Sequence, residues 1–220
     1  MQRSLLLPGL VSLLLVSCAS SGGTRWEPTV GLGLQTWGNH SEEVQLSSTE
    51  TALAGRASVD RDVAELTFGV THSTVADEAI RKDWFAGVKL ALGELDSSDR
   101  FNFGGDGENV DELALGGMVY LTDNATWTPY ASAWGVFTNP ASPNLDTQTS
   151  LALGTGVELA MGPQFALYSE LNYLVPLSDS DAKGTLPNLA GDADLPASGT
   201  RDYSGLALMF GIRARIGLTD

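Results

Sequence analysis

The chain has 220 residues, 27 of them acidic and 12 basic, for a formal net charge of −15. That balance excludes nucleic acid as a partner, because phosphate binding needs clustered Lys and Arg. A single cysteine excludes an internal disulfide, while 25 glycines, five tryptophans and no long apolar helix after residue 17 make the chain a candidate for a β-barrel.

The first segment is a leader. Arg3 supplies a positive start, and Leu5 to Val16 is an apolar run broken by Pro8 and Gly9. It is too short for a bilayer-spanning helix, which needs about 20 residues, and suits a secretory core of roughly 7–15 residues. Residues 1–17 are therefore read as a signal peptide. Leu15-Val16-Ser17-Cys18 resembles the bacterial lipobox. The resemblance implies cleavage before Cys18, diacylglycerol on its thiol and acylation (palmitate) of the new amino end. The Ser- and Gly-rich follow-on Ala19-Ser20-Ser21-Gly22-Gly23 agrees, and residues 18–27 are read as a lipidated linker. Ala19 stands where retention-type lipoproteins have Asp, which by resemblance favours the outer membrane.

Eight strands of alternating character follow, at 28–37, 63–72, 84–94, 111–121, 127–137, 150–161, 164–175 and 203–216. Each is about ten residues, the length of a tilted membrane-crossing strand. The one helix candidate, 75–83 (VADEAIRKD), is too short to stand alone. Connections alternate between shorter (73–83, 122–126, 162–163) and longer (38–62, 95–110, 138–149, 176–202), as in barrels with short periplasmic turns and long outer loops. The stretch 51–59 also alternates. It is assigned to the first loop, either as an outward extension of the second strand's hairpin or, at the cost of even strand number, as a strand of its own.

Successive strand residues face opposite ways. In 150–161, Leu151, Leu153, Val157, Leu159 and Met161 oppose Ala152, Gly154, Gly156, Glu158 and Ala160. In 204–216, Leu206, Leu208, Phe210, Ile212 and Ile216 oppose Gly205, Ala207, Gly211, Arg213 and Arg215. Glycine and charge cannot form the dry core of a soluble ligand carrier. Turned inside out the pattern fits: apolar side chains face lipid and closure pairs every backbone group. Strand 127–137 is ambiguous, since Trp127, Tyr130, Trp134 and Phe137 do not share a face. Trp37, Trp84, Tyr120, Trp127, Tyr173 and Tyr203 lie near strand ends, where aromatic girdles sit.

The stretch GTGVELAMGPQFALYSELNY and the closing LALMFGIRARI resemble the OmpA-type superfamily of small outer-membrane β-barrels, over roughly residues 28–216. The resemblance implies an all-β, closed, antiparallel, eight-stranded transmembrane barrel in the outer membrane, in contact with its lipid and lipopolysaccharide. The chain departs from the pattern in not ending on an aromatic residue.

Glu158, Glu170, Arg213 and Arg215 fall on the inward face of the last three strands, and Glu65, Lys89 and Glu112 inward on earlier ones. Enclosed charges of both signs should pair, because an isolated buried charge is very costly. An ion-pair network plugging the lumen is expected, with Arg213 or Arg215 on Glu158 or Glu170. A narrow channel using the same charges is the alternative, and a lipid-anchored soluble barrel carrying a small ligand is a further one. Catalysis is not expected: Thr71-His72-Ser73 offers a His–Ser pair, but strand neighbours face opposite ways. Nor is a metal or cofactor. Asp179-Ser-Asp181-Ala-Lys183-Gly184 departs from a calcium loop at Lys183 and at Ala190, and Gly31-Leu-Gly33 has no helix after it. The acidic loops, with Asp96, Asp99, Asp106 and Glu108 in one and Asp179, Asp181, Asp192 and Asp194 in another, are where a surface ligand would dock on a monomeric barrel.

Overall fold

The computed structural model describes residues 23–48, 52–76, 79–97, 108–122, 126–141, 144–178, 180–186 and 195–216; residues 1–22, with the expected leader and Cys18, lie outside them. The described strands are β1 (Thr24–Ser47), β2 (Ala52–Ala76), β3 (Ala79–Ser97), β4 (Glu108–Tyr120), β5 (Trp127–Pro140), β6 (Gln148–Ala160), β7 (Phe165–Pro176), β8 (Ser180–Leu186) and β9 (Leu195–Arg215). Each neighbour pair from β1 to β7 is antiparallel, β7 pairs with β9, and β9 pairs back onto β1. The result is a closed eight-stranded antiparallel barrel. β8 adds no wall position: it pairs with the outer part of β9, in line beyond β7.

The strands are staggered. Pairing runs from Thr29 through Gly69, Gly87, Gly116, Trp134, Ala152, Leu174 and Gly205 and returns to β1 at His40, eleven residues further along. A bulge between Gln35 and Trp37 absorbs one of those steps. Such a stagger tilts strands by roughly 40° and leaves an interior just wide enough for side chains.

The alternation sets the two faces. Leu32 (53% exposed), Leu115 (50%) and Ile212 (51%) face outward, and Glu170 (0%), Trp134 (1%) and Arg213 (2%) face inward. Strand 127–137 resolves the same way: Trp127 and Phe137 point out, Tyr130 and Trp134 in. Four of the five tryptophans lie on the outer face: Trp26, Trp84 and Trp127 towards the short-turn end, and Trp37 partway along β1. The exceptions to the expected girdle are Tyr120 and Tyr203, which are 6% and 2% exposed and point inward. Tyr120 donates its hydroxyl to Glu158 (2.9 Å), and Tyr203 stacks on His40. A phenol inside a polar lumen gains a partner that the lipid side denies it.

Several expected loops are strand. Residues 38–47 and 52–62, read as loop, continue the β1–β2 hairpin beyond the apolar band, and 51–59 belongs to that outward extension from Ala52 on. Residues 180–186 and 195–202 of the expected last loop form β8 and the start of β9. The helix candidate is the end of β2 and the start of β3, where two short helical turns' worth of sequence cannot outcompete ladder pairing (Val75 opposite Ile80). The linker also gives way: Thr24–Glu27 begin β1, with Trp26 outward and Glu27 inward. The tight β6–β7 turn rests on Gly162 at φ 141°, a conformation side chains rarely adopt, closed by Met161 N–H donating to Phe165 O (2.9 Å).

Candidate functional site in the barrel lumen

Glycine and alanine on the inward face make room for long polar chains. A Cβ on Gly33 would lie 2.2 Å from the Tyr168 hydroxyl, and one on Gly156 would lie 2.4 Å from the Tyr130 ring. Into the space so freed project three tiers of charge.

The middle tier is the most buried. Arg213 Nη1 reaches Glu158 Oε1 at 2.6 Å and Nη2 reaches Glu170 Oε2 at 3.3 Å. Its guanidinium stacks over the rings of Tyr168 (4.0 Å) and Tyr130 (5.0 Å). Lys82 Nζ lies 2.5 Å from the second Glu158 oxygen. Glu170 also accepts from the Tyr130 hydroxyl (2.8 Å) and Ser132 Oγ (3.0 Å). Lys89 links Glu170 (3.6 Å) to Glu65 (3.1 Å) while its ammonium sits 4.5 Å over the Trp134 ring. Glu170 at 0% and Arg213 at 2% exposure are the sealed centre of this tier, while Lys82 keeps 10% side-chain exposure at its edge.

The tier at the short-turn end is Glu27, held by Arg215 (3.3 Å) and Arg25 (3.2 Å), with Arg215 Nη2 donating to Pro163 O (2.9 Å). The tier at the other end is Arg61, paired with Glu112 and donating to Gln35 Oε1 (2.6 Å), while Thr138 Oγ1 donates to Glu112 (3.2 Å). Every inward carboxylate named here has a cation or hydrogen-bond donor on it, which is what a low-dielectric interior requires.

Two solved structures share this architecture. The crystal structure of the outer membrane protein OprG from Pseudomonas aeruginosa matches with a TM-score of 0.50 and 14% identity, over 92% of this chain and 98% of that one. The solid-state NMR structure of the outer membrane protein AlkL in DMPC bilayers matches with a TM-score of 0.51 and 14% identity, over 92% and 95%. The fold is that of a small outer-membrane β-barrel. No family model and no curated protein matches the chain.

Within the barrel, the sequence-predicted charges divide. Glu65, Lys89, Glu158, Glu170 and Arg213 meet in the middle tier, and Glu112 stands in the outer one. Arg215 does not join Glu158 or Glu170. It sits two residues nearer the mouth, and its partner is Glu27. Four charged network members escaped sequence reading. Arg61 and Lys82 fall in stretches read as connections, and Arg25 and Glu27 lie just before the first predicted strand. Strand parity from Phe85, Gly87 and Lys89 points Lys82 outward, and only the register shift opposite His72 and Ser73, which leaves Asp83 without a ladder partner, turns it into the lumen.

The two histidines part company. His72 is on the outer wall between Trp26 (centroids 4.9 Å) and Trp84 (5.2 Å), with Nδ1 3.0 Å from Asp83 Oδ2. Ser73 points into the lumen, so the adjacent pair cannot act on one substrate. Among the described residues, no three His, Cys, Asp or Glu side chains converge to hold a metal ion. Asp181 is exposed on β8, while Asp99, Asp106, Asp179, Asp192 and Asp194 lie outside the described residues.

His40 is buried beyond Trp37, above the apolar band. Burial first, and then the nearby Arg61 guanidinium, pull its imidazole from 6.5 to about 3, so it is neutral in the folded barrel. The unfolded chain therefore binds a proton that the folded one refuses. The resulting destabilisation is absent above pH 6.5 and grows as pH falls towards 3. His40→Gln is expected to flatten that acid dependence of hydrogen exchange at the outer hairpin. An unchanged pH profile in the variant would count against it.

Proposed function

We propose that the protein resides in the outer membrane as a lipid-anchored barrel sealed to solutes, acting through its outer extensions rather than through catalysis or conduction. The observation that carries this reading is the middle tier, where Arg213 and Glu170 are out of reach of water. An eight-stranded lumen has little space left once such side chains fill it. The outer extensions of β1, β2, β8 and β9 stand beyond the band that lipid covers, and they carry exposed acids such as Glu43, Asp60 and Asp181. Lipopolysaccharide surrounds that wall, and a surface ligand would meet it. A monomer suffices, since the barrel closes on itself. Acyl chains on Cys18 would enter the periplasmic leaflet, because β1 starts at the short-turn end only six residues later, at Thr24.

Two measurements test this. Planar bilayers containing the purified chain should show no steady single channels; stable open steps overturn the sealed lumen. Cys18→Ser should still need detergent for extraction, since the outward apolar band holds the barrel without acyl chains. A variant freely soluble in the periplasm removes the membrane-barrel reading.

A further inference from the structure

The lumen is not filled throughout. Between the middle tier and the Arg61–Glu112 pair lies a cavity of about 60 Å³, room for a few water molecules. Its walls include His40, Arg61, Lys89, Trp134 and Asn172. Four buried polar atoms on these side chains have no hydrogen-bond partner among the described residues: His40 Nδ1, Arg61 Nε, Trp134 Nε1 and Asn172 Oδ1. His40 and Trp134 are 2% and 1% exposed. Unmatched polar atoms in a low-dielectric interior are costly, and four around one cavity mark a place where a hydrogen-bonding guest gains what the walls lack.

The chemistry of the guest follows from the lining. The wall cations Arg61 and Lys89 already face the wall carboxylates Glu112 and Glu65. An ion entering would bring an uncompensated charge, which such an interior rejects. The open positions are Trp134 and Arg61 N–H donors, the Asn172 acceptor and a neutral His40 nitrogen. Apolar wall from Val136, Leu174 and Met209 suits carbon-bound hydrogens. We propose that this cavity binds a small neutral polyol of glycerol size, admitted from the cell exterior, with the Arg61–Glu112–Gln35 cluster as its lid. The lid consists of three side chains, so rotamer changes open it without moving a strand. Arg61 retains 11% side-chain exposure there, whereas Arg213 beneath the cavity retains 2%. The inference rests on the sealed middle tier as the cavity's floor.

The test places a thiol in the wall. Ala114→Cys in the full chain, in micelles, is treated with a small neutral methanethiosulfonate, with the parent chain as control for Cys18. Labelling should be slow, and about tenfold faster when Glu112→Gln weakens the lid. Glycerol should slow labelling saturably, a viscosity-matched dextran should not, and Trp134→Phe should weaken the glycerol effect several-fold. Ala91→Cys, also in the wall, reports the same if Ala114→Cys does not assemble. On the unmodified chain, saturation-transfer NMR should show contact with glycerol that Trp134→Phe diminishes. No protection and no transfer, or protection equal in Trp134→Phe, overturns the site and leaves a cavity for water only. Steady conductance in the bilayer experiment would remove the floor while leaving glycerol protection intact, so the two failures are distinguishable.

Discussion

Arg213→Ala is expected to destabilise the folded barrel by about 3–5 kcal/mol, the usual consequence of removing one partner from a buried charge cluster. The guanidinium bridges Glu158 and Glu170 and covers two tyrosine rings. Its loss leaves Lys82 alone to balance Glu158, and Lys89 shared between Glu65 and Glu170. The measurement is denaturant unfolding in micelles, followed by heat-modifiable migration. A second variant separates charge from packing: Arg213→Met with Glu170→Gln should recover much of the loss, because Lys82 still balances Glu158 and Lys89 still balances Glu65. If Arg213→Ala unfolds within about 0.5 kcal/mol of the parent, as a surface substitution does, the middle tier is not holding the barrel.

Leu32→Arg is expected to cost about 2–4 kcal/mol, the penalty for arginine on a lipid face near the bilayer midplane. Leu32 lies midway between Trp26 and Trp37 on β1, flanked by Leu66 and Ile212, and is 53% exposed. In a water-soluble barrel the same change would place a charge in solvent at almost no cost. Asn39→Arg, on the same face just beyond Trp37, should be close to neutral and serves as the control for depth. The readout is the folded fraction across a urea series in lipid vesicles. Equal behaviour of the two variants would mean that the outward face does not meet lipid.

These outcomes depend on features that were unequally legible. The inside-out assignment needed only Glu158 and Glu170 opposite Leu159 and Leu171, because period-two alternation is a local property of an extended chain. The lumen positions of Glu65, Lys89, Glu112 and Arg213 follow from the same count. Tyr120 and Tyr203 depart from the girdle expectation because nearness to a strand end fits a girdle and a lumen equally well; side-chain parity decides, and it places Tyr120 with Glu112 and Tyr203 with Arg213. The β1–β2 extension was missed for a related reason. His40 to Glu43 is polar on both faces and only Val44 and Leu46 alternate beyond it, so the hydrophobic signal for a strand fades while its ladder pairing continues.

The amino-acid sequence by itself determined the class: alternating strands, an apolar face larger than the polar one, glycines where bulky lumen residues need space, and charges of both signs turned inward. Tertiary structure alone decided which charges meet. Lys82 on β3 finds Glu158 on β6, 76 residues away, and Arg61 on β2 finds Glu112 on β4. The same closure hands Arg215 to Glu27 across the seam and leaves the cavity under Arg61. The physical reason is that alternation fixes the face of each residue, whereas its height in the lumen depends on the stagger accumulated around all eight strands.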